Sequence, residues 1–254
     1  DICFDNVSFK YEEKQDTVLS HINLDVKAGE YVAIVGSSGG GKTTLCSLIP
    51  RFYDVTGGSI ELDGHDIRDY TLSELRESIG FVPQKGILFS GTIASNLRFG
   101  KADASDEQIK KAADIAQASE FIETKNDRYE SSIAQGGSNV SGGQKQRLAI
   151  ARAIAKDPHI YVFDDSFSAL DMKTDARLRA ALAEVTEKAS VIIVAQRIST
   201  IIHADQILVL DDGKIVGKGT HEELLKNCDV YMQIAQSQLS ARELGIDDNK
   251  KEGM

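Results

Sequence analysis

The sequence predicts an α/β fold, in which a buried sheet carries helices on its faces and a helical segment is inserted midway along the chain. Three observations predict it. Residues 1–35 alternate as strands do, and they end in the almost wholly apolar run 31–35, which is typical of a strand buried on both faces. Residues 85–154 are instead rich in helix signals. Strand and helix patterns alternate again from residue 159 onwards.

Size and composition fit an ordinary globular protein. The chain has 254 residues, 41% hydrophobic and 27% charged, which is enough for a sizeable core and a second lobe. Its formal net charge of −10 argues against nucleic acid as a partner, because affinity for a phosphate backbone comes from clustered Lys and Arg.

The apolar runs are far shorter than the roughly 20 residues of a membrane-spanning helix. No signal peptide is expected, and three widely spaced cysteines favour a reducing cytosol over a disulfide framework.

Periodicity and turn signals predict the elements of the first third. Strands are expected at residues 2–9 and 18–26, before the buried strand 31–35. A glycine-rich loop then leads into a helix that extends to about residue 52. A strand at 59–62 turns at Asp63-Gly64, and Thr71 with Glu74 forms a capping box that begins a short helix. Residues 79–82 are expected to form another strand.

The middle and last thirds are predicted in the same way. Ser105 and Gln108 form a capping box, and the helix that follows has four apolar residues on one face, namely Ile109, Ala112, Ala113 and Ala116. After the helical segment, a strand is expected at 159–164, a helix at 172–188, and strands at 191–195 and 207–210. Asp212-Gly213 makes a hairpin turn, and Thr220 caps a closing helix. The charged residues beyond about 239 are expected to be frayed.

A phosphate-binding loop is predicted at residues 36–43, where GSSGGGKT satisfies the pattern G-x-x-x-x-G-K-[ST] between a strand and a helix. Glycines allow successive backbone N–H groups to point at an anion, and the helix presents its positive end. Lys42 can reach the β- and γ-phosphates, and the Thr43 hydroxyl can ligate Mg²⁺. A glycine-rich turn before an amphipathic helix is the alternative. The predicted phosphate-binding residues are Gly36, Ser37, Ser38, Gly39, Gly40, Gly41, Lys42, Thr43 and Thr44.

A carboxylate far along the chain should complete the magnesium site. Asp164 ends the apolar strand at residues 160–163, which is the position expected for this ligand. A strand followed by Asp is a weak pattern in isolation. Together with the loop 36–43 it becomes a strong one.

The stretch NVSGGQKQR at residues 139–147 lies between that loop and Asp164. It resembles the signature sequence of the ATP-binding-cassette (ABC) superfamily, and the resemblance extends over nearly the whole chain. It implies the ABC ATPase form of the P-loop NTPase fold, with a mixed core sheet, an N-terminal antiparallel β subdomain and an inserted α-helical subdomain. The implied division is an ATP-binding core at 1–84 and 155–240, a helical signature subdomain at 85–154 and a flexible charged tail at 241–254.

The resemblance also implies roles for single residues. Tyr11 lies where the family has an aromatic that stacks on adenine, although an edge-strand aromatic that covers the core is the alternative. Gln84 matches the loop that senses magnesium and faces the membrane subunit, which makes it a candidate metal ligand and catalytic residue. Asp171, in SALD at 168–171, belongs to the loop that crosses a dimer interface.

Two such domains face each other head to tail in this family, and each ATP lies between the phosphate loop of one and the signature of the other. The predicted residues of the outward half-site are Ser141, Gly142, Gly143 and Gln144. They precede an Ala-rich helix, so that a hydroxyl, free N–H groups and the helix dipole form an anion site directed outward. Lys145, Gln146 and Arg147 are expected on a solvated helix face.

Residues 49–54 and 87–97 resemble the exporter branch in particular. There the domain follows membrane helices on the same polypeptide, so this chain is expected to be an excised domain that works at the cytoplasmic face of the membrane. An importer ATPase with separate membrane subunits is one alternative. A soluble ABC ATPase of DNA repair, chromosome organisation or translation is another, but the short helical interval, the single cassette and the acidic balance argue against it.

Two residues depart from the family pattern, and both belong to the half-site on this chain's own loop. Asp165 stands where the family usually has Glu, the base that polarises the attacking water. The carboxylate of Asp lies about an ångström short of the position that a Glu carboxylate would reach. Misplacement of a base on that scale can lower the rate roughly a hundredfold. Gln196 stands where the family has a His that contacts the γ-phosphate, and an amide cannot become cationic or relay a proton.

These departures lead to the hypothesis of a heterodimeric exporter. This chain would hold ATP in a slow, largely structural site, while its signature completes a competent site on a non-identical partner. The alternative is an active homodimer in which Asp165 and Gln196 are tolerated variants. In both cases the expected reaction is hydrolysis of ATP to ADP and phosphate, and in the first case turnover by this domain is low.

Overall fold

The structure is a computed structural model that describes residues 1–11, 16–240 and 244. The predicted tail at 241–254 therefore lies outside the described residues, apart from residue 244.

Strands and helices alternate along the chain. The strands are β1 (Ile2–Phe9), β2 (Leu19–Val26), β3 (Tyr31–Gly36), β4 (Gly57–Leu62), β5 (His65–Asp66), β6 (Ile79–Val82), β7 (Gly91–Thr92), β8 (Ser132–Ile133), β9 (Ile160–Asp164), β10 (Ser190–Val194), β11 (Gln206–Asp211) and β12 (Lys214–Gly219). The helices are α1 (Lys42–Leu48), α2 (Leu72–Glu77), α3 (Ile93–Arg98), α4 (Asp106–Ile115), α5 (Ser119–Glu123), α6 (Gly142–Lys156), α7 (Met172–Val185), α8 (His221–Asn227) and α9 (Asp229–Gln236).

Two sheets form the framework. The core sheet has the order β12-β11-β3-β10-β9-β6, with parallel pairs throughout except for the β11–β12 hairpin. A second sheet, β2-β1-β4-β5, is wholly antiparallel. Every residue of β9 and β10 is buried, which explains why these strands are continuous apolar runs rather than alternating ones. The mixed core sheet and the antiparallel sheet confirm the predicted fold class.

The core sheet separates two apolar layers. On one face, β1, β2, β4 and α1 pack against it around Phe4, Leu24 and Leu45. On the other face, α6 to α9 pack against it, together with the helices α3 to α5 that lie between β6 and β9 in the sequence. Within the described residues, every helix falls short of the length and apolar character needed to cross a bilayer. The predicted residue bounds of a core and a helical subdomain stay a prediction.

The predicted capping boxes are present, since reciprocal hydrogen bonds join Thr71 to Glu74, Ser105 to Gln108 and Thr220 to the residue three positions later. Each box satisfies backbone N–H groups that the first turn of a helix leaves unpaired.

Two predicted helix ends are wrong. The helix after the glycine-rich loop ends at Leu48 rather than near residue 52, because Arg51 adopts a left-handed φ of 53°. The helix expected at 172–188 ends at Val185, where Thr186 leaves helical geometry and bonds back to the last turn. The closing helix begins at Thr220 as predicted and forms α8, and extended backbone at Cys228 separates it from the further helix α9.

The β11–β12 hairpin is tied to the glycine-rich loop. Its turn residues Asp212 and Gly213 have φ values of 44° and 70°, as a two-residue type I′ turn requires. The Gly213 carbonyl accepts a hydrogen bond from Ser20 N at 2.8 Å, and its N–H donates to Gly40 O at 3.3 Å. The hairpin turn therefore supports the loop from outside.

Gly213→Ala should destabilise the protein more than Gly64→Ala, although both glycines end Asp-Gly turns with similar φ (70° and 78°). A Cβ at Gly213 would lie 2.2 Å from Val18 O, whereas a Cβ at Gly64 would meet nothing within 4 Å. Alanine at 64 should cost about 1 kcal/mol for the left-handed φ alone, and alanine at 213 about 1–3 kcal/mol more, because the backbone must shift. Urea unfolding of both variants measures the difference, and equal costs would contradict the prediction.

Candidate active site

An open cleft of about 410 Å³ lies at the carboxyl ends of the parallel strands β3, β9 and β10. This edge of an open α/β sheet is where ligands bind in such folds. The lining residues are Val35, Gly36, Ser38, Gly39, Lys42, Thr43, Gln84, Asp164, Asp165, Val194, Ala195, Gln196, Ile234 and Gln238. The cleft thus brings together all the candidate catalytic and metal-binding residues from widely separated parts of the chain.

Backbone geometry explains the glycines of the loop. A Cβ at Gly36, which has φ 147°, would lie 1.8 Å from Leu210 O, so no other residue fits against β11. Gly39 and Gly41 are left-handed, with φ 78° and 98°. Gly41 caps α1 without any side-chain hydrogen bond, which leaves the first N–H groups of the helix available to an anion.

Lys42 lies folded over the loop. Its Nζ donates to Gly36 O at 2.9 Å and to Ser37 O at 2.5 Å. Burial lowers the pKa of Lys42, and the nearby Asp165 and Asp164 partly oppose that shift. Among the described residues, the direct partners of this half-buried ammonium are carbonyl oxygens, so it is suited to bind an added anion.

Thr43 and Asp164 form one polar pair at the base of the cleft. Thr43 Oγ1 donates to Asp164 Oδ1 at 3.0 Å. Burial raises the pKa of Asp164, and the hydrogen bond from Thr43 opposes this shift. The described part of the chain has no cluster of three or more His, Cys, Asp or Glu side chains that could hold a metal by itself. Because Mg²⁺ is usually held by one or two carboxylates together with substrate phosphates, the oxygens of Thr43, Gln84 and Asp164 fit it.

Asp165 accepts hydrogen bonds from two amides. It follows β9 with a left-handed φ of 48°, and its N–H donates to Val194 O at 3.1 Å. Its Oδ2 accepts from Gln84 Nε2 at 3.1 Å and from Gln196 Nε2 at 2.5 Å. The three candidate catalytic residues therefore form one hydrogen-bonded cluster, in which a single carboxylate oxygen serves two donors.

Tyr11 lies beside α1 at the rim of the loop. Its hydroxyl is 2.8 Å from Thr44 Oγ1, so these two predicted nucleotide-binding residues contact each other. Its ring packs edge-on against Phe9 and Tyr53, with ring centres 4.9 Å and 5.2 Å away, and it remains 45% exposed. Stacking of Tyr11 on adenine stays a prediction.

The predicted outward half-site does not line this cleft. Ser141 is the N-cap of α6, and it forms a capping box with Gln144 through bonds of 3.3 Å and 3.0 Å. Ser141 and Gly142 are exposed. Asp171, also exposed, caps α7, and the hydrogen bonds from Thr174 lower the pKa of its carboxyl. These residues lie on the surface, at the N-terminal ends of two helices.

The prediction of a solvated helix face at 145–147 is wrong for Gln146 and Arg147. Gln146 is 1% exposed; its Oε1 accepts from Gly86 N at 2.8 Å, and its Nε2 donates to Pro83 O at 3.0 Å. The Arg147 guanidinium is half-buried over the ring of Phe121. Polar side chains are buried when their partners satisfy them, and here those partners are distant in the sequence.

Five cleft residues are not among the predicted site residues. Val35, Val194 and Ala195 lie next to predicted strand or segment residues, whereas Ile234 on α9 and Gln238 just beyond it lie far from every predicted motif. No motif or spacing marks them, since a helical period indicates only the buried face of α9. Their role depends on where α9 packs.

Gln146→Ala should reduce stability by about 1–3 kcal/mol, because it leaves partly buried backbone groups of Pro83 and Gly86 without their partner. Lys145→Ala is the matched substitution at the preceding position of α6 and should cost less than about 0.5 kcal/mol. Denaturant unfolding compares the two variants. Similar losses would show that the Gln146 bonds do not stabilise the fold.

Comparison with known proteins agrees with this geometry. The sequence model of the family described as "ABC transporter" matches residues 19–168. An uncharacterized ABC transporter ATP-binding protein of Mycobacterium tuberculosis is 49% identical over 243 residues, which cover 94% of this chain and 41% of that protein. A putative multidrug export ATP-binding/permease protein of Staphylococcus aureus is 45% identical over 230 residues, 91% of this chain and 40% of that protein.

A solved structure is also similar. The structure of a bacterial Atm1-family ABC exporter with ATP bound matches with a TM-score of 0.90 and 38% sequence identity, over 94% of this chain and 42% of that chain. This chain spans about two fifths of the length of the curated relatives that it matches.

Proposed function

This chain belongs to the ABC transporter family, as an ATP-binding domain homologous to those of exporters, and we propose that it supplies the ATP-dependent step of an exporter. The observation that carries the proposal is the convergence of Lys42, Thr43 and Asp164 in one cleft behind a glycine-lined loop. Members of this family couple ATP hydrolysis to transport, so the proposed reaction is ATP and water to ADP and phosphate.

The residues of the cleft have distinct tasks in this proposal. The N–H groups of residues 36–43 and the Lys42 ammonium bind the polyphosphate, and Tyr11 stacks on the adenine. Thr43, Gln84 and Asp164 hold Mg²⁺, which supplies charge neutralisation on the β- and γ-phosphates.

The proposed site on this chain turns over slowly. A general base needs a free lone pair that is within reach of the attacking water. Gln84 and Gln196 hold the Asp165 carboxylate through Oδ2, and the side chain is one methylene shorter than the usual Glu, so the other oxygen, Oδ1, lies farther from the attacking water than a Glu oxygen would. Gln196 also stays neutral, so it cannot contribute a positive charge at the γ-phosphate. The arrangement favours holding ATP over cleaving it.

A second nucleotide-binding domain completes the proposed assembly. Ser141, Gly142 and Asp171 are exposed outside this chain's own cleft, as residues that serve a neighbour's nucleotide must be. We assign the neighbour to a non-identical subunit, because the signature here is intact while Asp165 and Gln196 depart from the family pattern. The competent site then lies on the partner's phosphate loop.

A membrane part of the same polypeptide is the other proposed partner. A groove of about 230 Å³ is lined by aromatic residues that include Phe52, Phe81 and Phe99. The Arg152 guanidinium lies 5.2 Å and 5.7 Å from the ring centres of Phe89 and Phe99. Exposed apolar clusters of this kind mark interaction surfaces. A transmembrane partner at this groove would place the domain at the cytoplasmic face of the membrane.

Replacing both departing residues, Asp165→Glu with Gln196→His, should raise Mg²⁺-dependent ATP hydrolysis by about 10- to 100-fold. Two copies of the double variant would each combine a restored base with an intact signature. Asp165→Asn should change the slow parental rate less than about threefold, since a base already engaged by two amides contributes little. Phosphate release at saturating ATP measures all three rates, and Lys42→Ala gives the background.

Fast hydrolysis by the parent chain that Asp165→Asn abolishes would identify an active homodimer instead. If calorimetry detected no ATP binding to the parent chain in the presence of Mg²⁺, the proposed function itself would fail.

A further inference from the structure

The segment that carries Gln196 is held from outside the cleft by one side chain. Gln238 lies two residues beyond α9 and uses both ends of its amide. Its Nε2 donates to Gln196 O at 2.7 Å, and its Oε1 accepts from Ile198 N at 2.8 Å. A single glutamine therefore pairs with the backbone of this segment much as a neighbouring strand would.

The two ends of Gln196 have different environments. Its main-chain carbonyl is bound by Gln238, while its side-chain amide reaches into the cleft and donates to Asp165 Oδ2. The next anchor along the segment is Ile198, whose side chain is fully buried. The position of the Gln196 amide in the cleft is thus fixed from behind by the contact with Gln238.

The helix that presents Gln238 is itself firmly packed. Tyr231 and Ala235 of α9 are fully buried, and the Tyr231 hydroxyl lies 2.7 Å from His221 Nδ1 at the start of α8. Ile234, on the same helix, lines the cleft together with Gln238. The end of α9 therefore forms a wall of the cleft, on residues beyond the range 19–168 that the family model matches.

We infer that Gln238 is a positioning residue for the γ-phosphate end of the nucleotide site. It acts through the backbone of Gln196 and Ile198, and it keeps the Gln196 amide directed at Asp165 and at the terminal phosphate of a bound triphosphate. The inference rests on the proposed function, because it requires that the cleft bind ATP.

One consequence separates positioning from a general structural role. ADP lacks the phosphate that Gln196 would contact, so loss of the Gln238 contacts should weaken ATP binding while leaving ADP binding nearly unchanged. A residue that merely stabilises the fold would affect both nucleotides equally, or neither.

The test compares Gln238→Met with Gln236→Met in the full 254-residue chain. Methionine keeps the length and bulk of glutamine but can form neither hydrogen bond. Gln236 is an exposed glutamine of the same helix that does not line the cleft. Calorimetry with Mg²⁺ gives the ATP and ADP affinities, and amide hydrogen exchange of Ile198, followed by NMR, reports the contact directly.

For Gln238→Met, amide exchange at Ile198 should become at least about tenfold faster. The preference for ATP over ADP should fall by roughly three- to tenfold, because one or two hydrogen bonds are lost. Gln236→Met should leave both measurements unchanged. Gln238→Glu keeps an acceptor for the Ile198 N–H and has no donor for the Gln196 carbonyl, so exchange at Ile198 should stay slow.

Three results for Gln238→Met would overturn the inference. The first is an unchanged rate of amide exchange at Ile198, and the second is an equal loss of affinity for ATP and for ADP. The third is faster exchange at Ile198 together with an unchanged preference for ATP over ADP. Absence of ATP binding by the parent chain would instead overturn the proposed function on which the inference rests, so the two failures are distinguishable.

Discussion

The parallel register of β3, β10 and β9 is the constraint on which the site depends. Val194 pairs with Ile34 on one side and with Asp164 on the other, so the three strands end at the same edge of the sheet. The glycine-rich loop, the paired aspartates and the segment of Gln196 must therefore leave the sheet side by side. Both faces of these strands are buried and apolar, and this burial fixes the register. Shifting one strand along its neighbour by one residue would move one apolar side chain out of the protein interior.

Electrostatics at this edge favours cations. Asp164 and Asp165 are adjacent and buried; burial raises the pKa of Asp164, and the nearby Asp165 adds to that shift. Lys42 provides one compensating charge, and a magnesium ion is suited to provide more. The donors that reach Asp165 are the neutral amides of Gln84 and Gln196. One oxygen of Asp165 is therefore already engaged by two uncharged donors.

Two further amides hold two loops of this arrangement from outside the cleft. Gln146 on α6 binds Pro83 and Gly86, the neighbours of Gln84, and Gln238 binds the backbone on either side of residue 197. Ser141 is the N-cap of α6, so the same helix carries the exposed residues 141 and 142 and the side chain that binds Pro83 and Gly86. Gln146 thus connects α6 to the loop of Gln84 through a side chain that is buried and hydrogen-bonded at both ends of its amide.

The sequence by itself determined whatever local chemistry specifies: the fold class, the strand runs, the capping boxes and the glycine-rich loop before α1. Such features follow from periodicity and short-range hydrogen bonds, which a few neighbouring residues decide. Only the tertiary structure decided that Gln146 is buried, that Asp165 accepts two amides and that α9 forms a wall of the cleft. Each of these depends on a partner many residues away. The sequence around a polar side chain does not identify the distant group to which it will hydrogen-bond.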